Sequence, residues 1–498
     1  DVYKRQDEGT SWRRISPDLT RADPETMNDS GGPVVKDQDG PEIYATLYSI
    51  TPSPHDAATI WTGSDDGFVH VTRDSGENWS NVTPPDMLAH TRVMTIDVSH
   101  HDAGTVYVAG IRYEMDDRSP YAWKTNDYGE NWTKIIDGIA PDDFVRVVRE
   151  DPDRSGLLYA GTEHGVYVSF DDGGSWSSLS YDLPDTPVTG LAVQDRDVVI
   201  STHGRSFWVL DDIETLRQIR ADVAGSDTHM FAPADAIRRS VPAVLDYYVS
   251  GSDREVRLDV LDSEGELVST LFQGTRDEGT YRETWNLRYP GAVTFEGIVL
   301  EGGNPAIGPW SPPGRYEARL TVDGNVQVSS FNVIRDPRLR DVTDADLIAQ
   351  FNLALAIRDA ESKANGNVLL IRDIRTQVQA SVMQSTDQQL RELAEQFTGD
   401  ISELETELYQ VRNQSPKDKI AFPIRLNDRL TGLRNRLERG DAAPTAAYRR
   451  VYTELSAELD ETMQALEVLF TEDLSRLNTE LNRAGLPRVI IRDRLITE

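Results

Sequence analysis

Four short polar loops, each lying between two apolar strand-like runs, carry the side chains of this chain that could act on a ligand. The first holds Asp65 and Asp66. The second holds Arg112, Tyr113, Glu114, Asp116, Asp117 and Arg118, the third Glu163 and His164, and the fourth His203 and Arg205. Two carboxyl groups converging to within roughly 5–10 Å can divide the acid and base work of glycosidic cleavage. Asp65, Asp66, Glu114 and Glu163 are therefore the catalytic candidates, and Arg112, Tyr113, His164, His203 and Arg205 the ligand-binding candidates. Taken singly, each is also an ordinary solvated turn former. No nucleophile-elbow, phosphate-loop, His-Glu-x-x-His or dinucleotide-binding glycine pattern accompanies them. The eight histidines are scattered, with no pair at i, i+4. Neither a metal site nor a cofactor is expected.

What positions these loops is a repeated turn. Thr72-Arg73-Asp74-Ser75-Gly76-Glu77-Asn78-Trp79, Thr125-Asn126-Asp127-Tyr128-Gly129-Glu130-Asn131-Trp132 and Ser169-Phe170-Asp171-Asp172-Gly173-Gly174-Ser175-Trp176 share one form, and Asp7-Glu8-Gly9-Thr10-Ser11-Trp12 is a clipped copy. The Asp can accept from backbone amides further along the turn. The Gly takes a conformation that a side chain would penalise, and the Trp folds apolar surface back over the hairpin while its N–H seeks a carbonyl. Asp7, Asp74, Asp127 and Asp171 are accordingly read as structural. The steps between them are 67, 53 and 44 residues. Steps near 40–50 suit a four-stranded blade, and the long first step holds a Gly/Pro/Asp-rich insertion, Thr20–Pro41.

These turns resemble the Asp-box repeats of bacterial sialidase-like propellers, sortilin-type receptors and tandem-propeller glycosidases. The resemblance implies that each box joins the third and fourth strands of a blade, away from the ligand. The four polar loops would then open on the opposite face. The basic cluster by which sialidases hold a carboxylated sugar is not recognisable.

The fold class expected is multidomain: a partial all-β propeller, then an Ig-like sandwich, then an all-α antiparallel bundle. Residues 7–213 read as about four blades of an incomplete ring, and 214–243 as a connector with one short helix. Residues 244–336 alternate as in Val256/Leu258/Val260 and Tyr316/Ala318/Leu320, one buried face per sheet. They resemble an Ig-like spacer of the flagellar-hook-capping type, interrupted by a loop, Pro290–Pro313. Residues 343–485 read as the bundle. Thr343 caps a helix through Ala364, Asn367–Met383 is a second, and Thr386-Asp387-Gln388-Gln389 has the form of a capping box. Leu390, Leu393, Phe397, Ile401, Leu404, Leu408 and Val411 form one apolar stripe. Leu455, Leu459, Met463, Leu466, Phe470, Leu474, Leu477 and Leu481 form another, on a helix running to Ala484. Such stripes are seams of a bundle; 486–498 is a tail.

The chain has 498 residues, 84 acidic against 51 basic side chains, a net charge of −33 and no cysteine. Thiolate metal sites and a cysteine nucleophile are excluded, and the charge argues against nucleic-acid or anionic-membrane partners. No apolar run reaches the length of a membrane span. Asp1-Val2-Tyr3-Lys4-Arg5-Gln6 matches a translation of GAT-GTG-TAT-AAG-AGA-CAG, the end of a transposase-based sequencing adapter. Residues 1–6 are therefore set aside from the fold, and the natural protein is expected to extend upstream, with any signal peptide there.

As a whole, residues 7–498 resemble the C-terminal half of large bacterial proteins described as Asp-box glycosyl hydrolases or sortilin N-terminal-domain proteins, particularly over Trp61–Asp66, Thr202–Arg205 and Phe422–Leu426. The leading expectation is an extracellular or periplasmic propeller protein that binds a polypeptide or glycan on the face opposite the boxes. One alternative is a glycoside hydrolase, sialidase- or xyloglucanase-like, whose cleft needs an upstream half. Another is a structural surface or assembly protein that self-associates through the bundle.

Overall fold

The computed structural model describes residues 2–492 except 6, 30, 35–42, 221, 222, 224 and 384. The end of the Thr20–Pro41 insertion and the last six residues of the tail thus lie outside the described residues. The chain divides into two compact units, Asp1–Gly225 and Ser226–Glu498.

In the first unit, three consecutive sheets have four antiparallel strands in sequence order. The second blade is β3 (Leu47–Pro52), β4 (Ile60–Ser64), β5 (Val69–Thr72) and β6 (Ser80–Asn81). The third is β7 (Arg92–Val98), β8 (Val106–Arg112), β9 (Asp117–Thr125) and β10 (Thr133–Lys134). The fourth is β11 (Val145–Glu150), β12 (Leu158–Thr162), β13 (Val166–Ser169) and β14 (Ser177–Ser178). A three-stranded sheet follows, β15 (Val188–Gln194), β16 (Asp197–Thr202) and β17 (Phe207–Leu210). The cores lie between neighbouring sheets. Trp61 and Val71 pack with Val93 and Val108, Ala109 with Val148 and Leu158, and Tyr159 with Val188 and Ile200. Sheets of meander topology stacked face to face through apolar side chains are propeller blades.

The repeated turn fastens each blade to the one before it. Trp79 Nε1 donates to the Ile15 carbonyl at 2.9 Å, Trp132 to Val82 at 2.8 Å and Trp176 to Ile135 at 3.0 Å. Each acceptor lies three residues beyond the Trp of the preceding box. The glycines explain themselves by the same contact: at Gly129, φ +89°, a Cβ would sit 2.7 Å from Val82 Cβ. Burial falls short of uniform. Trp176 is buried and Trp79 and Trp132 half-buried, whereas Trp12, in the clipped copy, is 60% exposed.

Residues 2–5, set aside on sequence grounds, take part in the fold. β1 (Tyr3–Lys4) pairs with β2 (Arg13–Arg14) in the register that β5 and β6 use around their own box. Backbone groups make that pairing, so it accepts almost any side chains.

The unit ends in α1 (Glu214–Gln218), where Arg217 Nε lies 3.0 Å from both Asp151 carboxylate oxygens.

The second unit begins within the stretch read as a connector, which contributes β18 (Thr228–Met230) and β19 (Ala236–Ile237). β18 joins β20 (Ala243–Val249) and β23 (Gly279–Trp285) in a three-stranded sheet. β19 pairs in parallel with β25 (Asn325–Ile334), which continues through β24 (Gly314–Val322), β21 (Arg254–Leu261) and β22 (Leu267–Arg276). One core of Leu245, Tyr247, Leu258, Trp285, Leu320 and Phe331 fills the space between the sheets.

The helices differ from expectation in three places. α2 runs unbroken from Asp344 to Val382, through Gly366, because Ala364, Asn365 and Gly366 are buried in packing. The cap of α3 (Gln388–Leu408) is Asp387, not Thr386, with Asp387 Oδ1 accepting from Gln389 N at 2.9 Å. The last helix is α5 (Ala446–Val468), a π turn (Leu469–Asp473) and α6 (Leu474–Arg483). α4 spans Leu426–Leu437. Both stripes face the helical core, although Val411 is exposed and Leu393, Leu404, Met463 and Phe470 only partly covered.

The helices do not close this core alone. Phe295, from the Pro290–Pro313 loop, is buried in it, and Ile298 and Leu300 pack against it. Asn365 Nδ2 donates to Val293 O at 2.7 Å. Val489, in the stretch read as a tail, is also buried there.

Candidate functional site

In an antiparallel meander, the turn from second to third strand and the turn from third to fourth lie at opposite ends of the third strand. The box turns therefore occupy one face, and the loops with Asp65, Glu114, Glu163 and His203 the other. The connections from each fourth strand to the next blade also reach this second face.

A cavity of about 190 Å³ opens there between the second and third blades. It brings together Asp65, Arg112, Tyr113 and Glu114 from the expected set, and adds Thr26, Tyr44, His90, Ile111 and Met115. Thr26, Tyr44 and His90 come from connections between blades, not from the second-to-third-strand loops. Tyr44 Oη lies 2.7 Å from His90 Nδ1. Burial and the nearby Asp65 push the Tyr44 phenol up to about 12, so it stays protonated.

The two adjacent aspartates are buried and committed to holding loops. Asp65 accepts from Thr46 N at 2.8 Å and Thr46 Oγ1 at 3.1 Å. Its pKa is raised by burial, against those hydrogen bonds. Asp66 accepts from Arg21 N at 2.8 Å, Ala22 N at 3.0 Å and Ser64 Oγ at 2.5 Å. Buried carboxylates with this many donors anchor backbone.

Glu114, Asp117 and Glu163 are ion-paired. Glu114 Oε2 meets Arg92 Nη2 at 2.7 Å, and its other oxygen accepts from Tyr113 Oη at 3.2 Å. Arg112 bonds Asp117 at 3.1 Å and also donates to Ala89 O. Tyr113 stacks on Phe144 at 5.5 Å between centroids and is 42% exposed. Glu163 takes two donors from Arg146, at 2.6 and 3.1 Å. His164 Nδ1 lies 2.8 Å from Asp185 Oδ1, a hydrogen bond that raises its pKa. Glu163 and His164 do not line the cavity; His203 and Arg205 stand exposed on the last sheet. Asp116, in the left-handed region at φ 57°, and Arg118 are exposed around the β8–β9 loop.

On the box face the four repeated aspartates stay within their own turns, whereas the neighbouring Asp172 accepts from Tyr107 Oη at 2.8 Å and pairs with Lys124 of the preceding blade. Asp74 accepts from Asn78 N at 2.9 Å and Asn78 Nδ2 at 2.8 Å, Asp127 from Asn131 N and Nδ2 at 2.8 Å each, and Asp171 from Ser175 N and Oγ at 2.8 Å each. Asp7 does the same with Ser11. The Asn78 amide leads the donors that hold Asp74 down to about 2. Two histidines read as scattered occupy equivalent first-to-second-strand loops and tie blades together: His55 Nε2 lies 2.9 Å from Ser99 O, and His101 Nε2 2.9 Å from Asp151 O. Their common setting, two residues after Ser53 and Ser99, was legible in the sequence.

Among the described residues, no group of three or more His, Asp or Glu side chains is arranged to hold a metal ion, and no helix is long and apolar enough to cross a membrane.

No protein-family model matches the chain, and no curated protein sequence does. Solved structures do. YCF48 bound to a D1 peptide is 14% identical, with 58% of this chain and 81% of that one covered and a TM-score of 0.25. The GH74 xyloglucanase from Xanthomonas campestris is also 14% identical, with 57% of this chain and 45% of the enzyme covered and a TM-score of 0.28. For an ancestral GH74 enzyme the figures are 13% identity, 66% and 43% coverage and a TM-score of 0.30.

Proposed function

We propose that this chain is part of an exported, Asp-box-type propeller protein that binds a polypeptide or glycan on the face opposite the box turns. The β-sandwich, read as Ig-like, would serve as a spacer. One observation carries the reading: a cavity on that face collects an exposed aromatic ring, Tyr113, a phenol–imidazole pair, Tyr44 and His90, and Glu114, whose carboxylate is held by Arg92. Aromatic surface with a few fixed polar groups is what a recognition site needs.

Hydrolysis is the weaker reading. A general acid must be free to donate, and a nucleophile or base must have an open lone pair. Asp65 and Asp66 are engaged in backbone anchoring, and Glu114 and Glu163 are neutralised by Arg92 and Arg146. The raised pKa of Asp65 is the observation on the other side.

The experiment is to screen the intact chain on peptide and glycan arrays, then compare Tyr113→Ala and Glu114→Gln with Asp127→Ala. Saturable binding weakened by the first two and kept by the third is expected. Binding indifferent to Tyr113 and Glu114 would move the site elsewhere, and cleavage lost in Asp65→Asn would favour the hydrolase.

A further inference from the structure

The helical part of Ser226–Glu498 contains a cleft of about 370 Å³ that the reading above does not use. Along α4 and just past its end, Arg429, Gly432, Arg436 and Arg439 follow steps of three, four and three residues, the spacing of one helix face. Gly432 leaves a notch in that face. A Cβ there would meet Arg436 Nη1 at 3.4 Å and Gly302 Cα at 3.5 Å, so a long side chain would fill the space.

The far wall is fixed. Glu301 N and Gly302 N donate to the Asp428 carboxylate at 2.9 and 2.5 Å, and Asn435 Nδ2 donates to Gly302 O. Ile424, Val451 and Leu455 supply apolar lining. Ile424 belongs to the Phe422–Leu426 stretch singled out in the sequence.

Charge makes this cleft unusual for the chain. Acids outnumber bases 84 to 51 overall, yet the cleft is lined by three arginines, Arg429, Arg436 and Arg439, against two acids, Glu301 and Asp428, the second of which is taken up by the Glu301 and Gly302 amides. Arg429 is paired with Glu458, whereas no carboxylate neutralises Arg436 or Arg439 among the described residues. Guanidinium groups left unneutralised in an acid-rich chain, beside apolar surface, suit an amphipathic anion.

We propose that this cleft binds a small organic anion, a carboxylate or phosphate monoester at Arg436 and Arg439 with its apolar body against Ile424, Val451 and Leu455. The headgroup chemistry is shared by the two classes, and the probes separate them.

The test is calorimetric titration of the intact chain with hexyl phosphate, hexanoate, inorganic phosphate and hexanol. At least one of hexyl phosphate and hexanoate should bind saturably, about tenfold or more tighter than inorganic phosphate, and the tighter of the two identifies the headgroup. Arg436→Ala/Arg439→Ala, both at exposed positions, should weaken binding about tenfold or more. Gly432→Leu should block it while circular dichroism stays unchanged. The proposal is overturned if neither amphipathic anion binds, if hexanol binds as well as they do, or if the double variant binds like the parent.

Discussion

Two sets of aspartates in the blades look alike in sequence and work differently. Asp74 and Asp127, half-buried, and Asp171, exposed, sit in the box turns and bond residues four positions on. Asp65 and Asp66, on the opposite face, are buried and bond backbone that is 19, 44 and 45 residues away. The first set shapes a turn, and the second pins connections between blades onto the face opposite the box turns. A carboxylate in a hairpin loop is thus no guide to chemistry until its donors are known.

The largest expected effect separates the sets directly. Asp66→Ala leaves the Arg21 and Ala22 amides without their acceptor, and orphaned donors of that kind cost about 2–3 kcal/mol. Urea unfolding followed by tryptophan fluorescence reads it, since seven of the nine tryptophans lie in Asp1–Gly225. A variant as stable as the parent would break the distinction. Trp132→Phe comes next. It removes the hydrogen bond to Val82 O while keeping most of the apolar surface, a loss of about 1 kcal/mol. Asp127→Ala should cost less than Asp66→Ala, because water reaches the half-buried Asp127 and not the buried Asp66. If it unfolds the unit more readily than Asp66→Ala, the box carboxylates hold more than their own turns.

Local chemistry was legible in the sequence and long-range pairing was not. The Asp, Gly and Trp of each box lie within nine residues, so their roles could be read from spacing. The acceptor of each Trp, on the preceding blade, could not, although its constant offset from the previous box makes it simple afterwards. The cavity escaped for the same reason: Tyr44 and His90 join Asp65 and Glu114 only when the blades stack. In the second unit, the Pro290–Pro313 loop was read as an interruption of the sheet, yet Phe295, Ile298 and Leu300 complete the helical core. Helical periodicity identifies which face is buried, not what covers it.

The smallest effect concerns pH, where Asp74 and Asp65, one from each set, should respond with opposite sign. Asp74 is held down to about 2 by its turn donors. A carboxylate with a depressed folded pKa stabilises the fold above the ordinary aspartate value and loses that contribution as pH falls through the folded pKa. Asp65 is raised by burial. Its protonated form is the one the fold favours, so its contribution is present below the ordinary value and is lost as pH rises through the folded pKa. Asp65→Asn keeps an oxygen for the Thr46 amide and removes the titration. Relative to the parent, its urea midpoint should therefore climb as pH rises from about 4 toward neutrality. Asp74→Asn should instead lose its disadvantage as pH falls from about 4 toward 2. Midpoints at half-unit steps for the three proteins decide the matter. If Asp65→Asn departs from the parent only below pH 4, then Asp65 is a box-like carboxylate, and the contrast between the two faces fails.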